Sequence, residues 1–158
     1  MNLFFIFSAE YLFIAPIIIL GAYFIHQPRA SWLRLALFAV PAGLLTWIFG
    51  LIANHVYVDP RPFVVDHFIP LISHTSDNGF PSDHTLLAAA FAAVGMYWNK
   101  WLGTVLWIIT GIIAVARVYV GVHHPLDVLA SILFALIAVS AWHWILARRT
   151  KNKMRHSF

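Results

Sequence analysis

The chain has 158 residues, 61% of them hydrophobic and only 10% charged, with a net charge of +4. No soluble domain of that length buries so much apolar surface, so composition excludes a soluble globular enzyme and indicates one domain set in a membrane. There is no cysteine, which excludes disulfide and thiol chemistry.

Crossing the hydrocarbon takes about 20 apolar residues. Residues 3–25 predict a first span, interrupted by Glu10, Pro16 and a few small polar residues. No basic segment precedes it and no small-residue cleavage site stands out, so it reads as a spanning helix rather than a signal peptide. Residues 35–53 predict a second span. Residues 54–83 are rich in Pro, Asp, His and Gly and read as a loop; one that long in a compact protein is usually functional. Residues 84–98 predict a short third span, which Asn99, Lys100 and Trp101 complete at the interface. Residues 102–121 and 128–147 predict the fourth and fifth. The expected fold is all-α, a polytopic membrane helix bundle of about five transmembrane helices. Residues 1–158 form a single membrane-embedded domain ending in a basic tail at 148–158.

Five crossings put Arg29, Arg34, Lys100, Arg148, Arg149, Lys151, Lys153 and Arg155 on one face, eight of the ten basic residues. The positive-inside rule makes that face, with the C-terminus, cytoplasmic. The charge thus reads as an orienting cluster with membrane lipids as neighbours, and no nucleic acid is implied. Arg61 and Arg117 alone break the pattern, and both lie close to carboxylates and histidines.

Arg117 sits near the end of a predicted span. A central charge costs about 2.5–3.5 kcal/mol to insert. It can snorkel to the interface, but intramembrane charges usually mark sites. Ser82 or Asp83 opens a helix as a capping residue. The same helix start is a natural phosphate site, with His84 in its first turn. In "HHPLD", Pro125 and Asp127 suit a helix start. Alternatively, Asp127 bonds one ring nitrogen of His123 and frees the other as a nucleophile. Prolines flank Arg61 and fix its direction, and its guanidinium forks onto phosphate oxygens. These groups fall at outer-face helix ends, where metal-free phosphoryl transfer has its cations, nucleophile and acid. A second arrangement uses His84, His123 and Asp127 as metal ligands.

Three spaced motifs carry a resemblance. "PSDH" is Pro81–His84; Arg117 is followed after five residues by His123 and after three more by Asp127; and Arg61-Pro62 closes a third. In that order they resemble the type 2 phosphatidic acid phosphatase superfamily. "FPSDH", "ARVYVGVHHPLDV" and "SAEYL" are similar to its bacitracin-resistance type of undecaprenyl-diphosphate phosphatases. The family's lysine falls at Asn54, and the serine before its arginine falls at Ala116. Members often have six spans, one more than the five read here, and the difference is expected to be an N-terminal segment preceding Leu3 that is absent here.

The resemblance implies a membrane enzyme that hydrolyses undecaprenyl diphosphate to undecaprenyl phosphate and phosphate, on the outer face of a bacterial inner membrane. It implies that His123 attacks phosphorus, Asp127 orients it and His84 protonates the leaving group. Arg61, Arg117, Ser82 and, more weakly, Asn54 bind the phosphoryl oxygens, with no metal and no cofactor. The partner implied is a polyprenyl diphosphate lipid. Alternatives are another lipid phosphate, such as phosphatidylglycerophosphate or phosphatidic acid, and a non-catalytic lipid-binding or transport protein.

Overall fold

The computed structural model describes the backbone of residues 1–155 and the side chains of residues 1–149. Side chains of the basic tail beyond Arg149, among them Lys151, Lys153 and Arg155, lie outside the described residues. The elements are all helical: α1 (Asn2–Glu10), α2 (Ile14–Ile25), α3 (Arg29–Val56), α4 (Pro62–Val65), α5 (Asp83–Trp98), α6 (Lys100–Tyr119) and α7 (Pro125–Arg155). Among the described residues the one β feature is an isolated bridge between Pro60 and Asn78. Helices α3, α6 and α7 are each long and apolar enough to cross a membrane; α1 and α2 together make a fourth span if the pair is counted as one.

That first span is not continuous, as its sequence suggested, but bends by 55° at residues 11–13. Pro16 lacks an N–H, and its ring crowds the carbonyl four residues earlier, at Leu12. The helix restarts with Ile14 and Ala15 bonded three residues back, to Tyr11 and Leu12. The predicted loop starts later than expected, because α3 runs on to Val56, and it contains the single turn of α4.

Helix α5 is the centre of the bundle, packed against α2, α3, α6 and α7. Its buried face is built from Ala88, Ala89, Ala90, Ala92, Ala93 and Gly95. Small residues let neighbouring backbones close in where lipid offers no hydrophobic drive. The α5–α6 hairpin turns on Asn99 alone, whose side chain accepts from Leu102 N at 3.0 Å and caps α6. Asn99 and Lys100 therefore serve α6 and do not lengthen α5. With 16 residues against 20 in α6, and 1.5 Å per residue, α5 stops about 6 Å short of the Tyr119 end of α6. A well is left above its first turn. The loop roofs it: Leu71 N bonds Val120 O at 3.0 Å. Gly121 turns the chain beside it with φ +83, and Phe68 covers the spot where a Cβ would stand.

Candidate active site

The well holds a cavity of about 160 Å³ lined by residues from six segments. Arg61 comes from the start of α4, His84 from the first turn of α5, Arg117 from the last turn of α6 and His123 from the turn before α7. The loop adds His74 and Asp77, and Asn54 comes from the end of α3. The structure thus brings together Arg61, His84, Arg117, His123 and Asn54. It places Asp127 and Ser82 behind the wall, both fully buried.

His123 is 3% exposed and held from both sides. Its Nδ1 lies 3.2 Å from Asp127 Oδ2. Its Nε2 lies 3.2 Å from Arg117 Nη2 and 3.4 Å from Arg61 Nη1. A guanidinium only donates, so Nε2 is the acceptor and the ring proton sits on Nδ1, facing the carboxylate. Burial lowers the proton affinity of His123 below the ordinary histidine value; the bond to Asp127 opposes this, and the two arginines add to it. The uncharged ring therefore presents a lone pair to the cavity. Asp127 Oδ2 also accepts from His124 N at 2.8 Å, while Oδ1 is buried without a partner.

The two arginines differ. Arg61 Nε donates to Asp77 Oδ1 at 2.8 Å, and Nη1 donates to Val122 O at 3.0 Å. Burial works against ionisation of Asp77, but Arg61 overcomes it and holds the carboxyl below its usual range. No carboxylate among the described residues pairs with Arg117. Its Nη1 donates to Ala9 O at 3.2 Å, its Nη2 faces the His74 and His123 rings, and its buried Nε has no partner. The carbonyl it meets belongs to the last turn of α1, next to the bend, and Glu10 lies within range of its charge. An arginine buried this way is costly unless an anion joins it, and the free Nε–H marks where one would sit.

His84 is half-buried, its ring edge-on to Phe13 from the α1–α2 bend, with centroids 4.5 Å apart. Ser82 holds its hydroxyl against Thr85 Oγ1 at 3.1 Å. Ser131 of α7 sits 2.9 Å from Ser82 O and 2.8 Å from Asp127 O, tying the start of α5 to α7. The Asn54 amide donates to Phe80 O at 2.8 Å, ahead of the cis Phe80–Pro81 bond. Ala116 is buried beside Ala9, Ile72, Val120 and Val122, so the missing serine is replaced by apolar packing. Among the described residues no three His, Asp or Glu side chains converge to hold a metal ion.

Sequence reasoning missed His74 and the pairing of Asp77 with Arg61. Their one signal was the length of the loop that carries them. Asp59 is a further neighbour: burial and then the Asp127 carboxylate raise its proton affinity, with His124 opposing.

Known proteins match this chain closely enough to interpret the site. The model of the PAP2 superfamily matches residues 32–151. Undecaprenyl-diphosphatase BcrC of Bacillus subtilis is 34% identical over 132 residues, which cover 84% of this chain and 68% of that protein. The putative undecaprenyl-diphosphatase YbjG of Escherichia coli is 31% identical over 121 residues, 76% of this chain and 59% of that one. The chain therefore spans about six- to seven-tenths of these relatives' length. Among solved structures, LpxE of Aquifex aeolicus superposes with a TM-score of 0.68 at 23% identity, covering 88% of this chain and 80% of that one. The PAP2-type phosphatidylglycerolphosphate phosphatase of Bacillus subtilis superposes with a TM-score of 0.60 at 22% identity, covering 92% and 74%. These two likenesses establish the fold. With the apolar spans, they make the chain an integral membrane protein.

Proposed function

Since the chain belongs to the PAP2 superfamily, we propose that it is a lipid phosphatase hydrolysing undecaprenyl diphosphate to undecaprenyl phosphate and phosphate through a phosphohistidine. The observation that carries this reading is His123, with Asp127 behind Nδ1 and two arginine forks around Nε2.

His123 Nε2 attacks the terminal phosphorus as the bond to the bridging oxygen breaks. Arg61 and Arg117 hold the equatorial oxygens, where charge is spread in the transition state. Asp127 keeps the ring proton on Nδ1 and offsets the positive charge that forms on the ring. His84 gives its proton to the leaving lipid phosphate, then takes one from the water that cleaves the N–P bond. The first N–H groups of α5 add donors. Ser82 and Asn54, committed to Thr85 and Phe80, shape the start of α5 and its approach. No metal takes part in this scheme.

The site lies at the end of the bundle opposite Arg29, Arg34, Lys100, Arg148 and Arg149. The positive-inside rule then faces it to the periplasm or outside, with the C-terminus in the cytoplasm.

The test is phosphate release by the purified protein from undecaprenyl diphosphate, with and without EDTA, and with His123→Ala as control. Turnover that survives EDTA and disappears in the variant is expected. Full activity in the variant sinks the mechanism. A panel with phosphatidylglycerophosphate and phosphatidic acid at equal surface concentration decides the substrate, because the cavity wall contacts phosphate and not the tail.

A further inference from the structure

His74 belongs to none of the three motifs, yet it lines the well together with Arg61, Arg117, His84 and His123. Its Nε2 lies 3.0 Å from Arg117 Nη2, the same nitrogen that faces His123 Nε2 at 3.2 Å. An oxygen gripped by that Nη2 beside His123 therefore falls next to the His74 ring. The ring also borders an outer hollow with Ser73 and Thr75, which puts it at the mouth of the well. Asn54 also lines the well, but one N–H of its amide is held by Phe80 O at 2.8 Å and its backbone carbonyl accepts from Asn78; the neutral amide offers at most one further N–H and cannot supply the charged contact of a lysine.

We infer that His74 is a phosphate-binding residue, the third donor beside Arg61 and Arg117, supplying the contact that position 54 does not. This rests on the phosphatase reading above. His74 Nε2 accepts from Arg117, since a guanidinium has no acceptor, and Nδ1 faces Thr75 O at 3.4 Å. When a phosphate engages Arg117 Nη2, His74 Nε2 is released, takes a proton from water and donates to a phosphate oxygen. The groups facing the ring are Arg117 of α6, Arg61 and Asp77 of the loop, His123 before α7 and His84 of α5. Burial, and then the charges of Arg61 and Arg117, favour the neutral ring by lowering its proton affinity. A dianion between them reverses that balance. Binding then takes up a proton and weakens as pH rises.

The experiment compares His74→Ala and His74→Gln with the wild type in detergent, after circular dichroism and melting show equal folding. Two quantities are read: the Kd for inorganic phosphate, which needs no turnover, and KM and kcat for undecaprenyl diphosphate. Losing one hydrogen bond to a charged group weakens binding about ten-fold. The expected result for His74→Ala is a rise of that size in Kd and KM, with kcat within about two-fold. His74→Gln keeps a donor that cannot titrate, so it should bind near wild-type strength at low pH and lose the wild type's weakening between pH 6 and 8. Unchanged Kd and KM in His74→Ala, or a pH dependence retained in His74→Gln, overturns the inference. Phosphate binding that depends on His74 in a wild type that hydrolyses no lipid would leave the inference standing and sink the phosphatase reading. A wild type that binds no phosphate sinks both.

Discussion

The two nitrogens of His123 have opposite assignments, and the neighbours fix both. Asp127 takes the proton side and two guanidinium groups take the lone-pair side. Asp127→Asn keeps the shape of this contact but removes the charge that fixes the tautomer and stabilises the imidazolium. A fall in kcat of roughly 100- to 10,000-fold is expected, with little change in KM. Steady-state kinetics checks it; a loss confined to KM contradicts the role. The pH dependence has a definite sign. In the proposed mechanism the neutral ring is the nucleophile, and burial and the arginines lower its proton affinity below the ordinary value of 6.5 against the pull of Asp127. As pH falls, the drop in kcat/KM that protonation of His123 causes should therefore come only below 6.5. An acid limb centred above 6.5 goes against this. His123 and Asp127 were legible because a fixed spacing in one turn dictates their meeting. His74 and Asp77 were not, because a loop brings them to the arginines from far along the chain, and periodicity says nothing about loops. Asn54 was legible by position but not by direction: its amide turns to a backbone carbonyl that only the folded chain presents.

Helices set the distances among these groups, above all the α5–α6 hairpin. A Cβ on Gly103 would run into the Met96 backbone Cα and N, which cannot yield without moving α5. Gly103→Ala should thus cost about 1–3 kcal/mol. Gly50 makes a useful contrast, because a Cβ there meets Leu86 Cδ2, the far end of a flexible side chain. Gly50→Ala should lower the melting temperature in detergent less than Gly103→Ala does; the reverse order would refute this packing argument. The four long apolar runs could be read from hydropathy alone. The bend at residues 11–13 had its signal in Pro16, but one proline does not say whether a membrane helix kinks or breaks. Here the break has a partner that sequence could not supply, since Arg117 meets the carbonyl of Ala9 across the bundle.

At the scale of the molecule, among the described residues Arg29, Arg34, Lys100, Arg148 and Arg149 gather at one end of the bundle and the two site arginines stand at the other. Arg61 is 5% exposed and Arg117 3%, both in the well above the short helix α5. That depth has a consequence for ions in solution. Mobile salt screens charges within about 8 Å at physiological strength and about 3 Å at 1 M, but only where it can stand between them. Inside the well, once a headgroup fills it, it cannot. Phosphate capture should therefore be nearly indifferent to salt: KM measured in neutral detergent micelles should change little up to about 1 M sodium chloride. A steep rise in KM would mean that charges at the rim, and not those in the well, do the holding. On the proposed reading, the missing turn of α5 thus makes a place where a headgroup would leave the ionic atmosphere before it reacts.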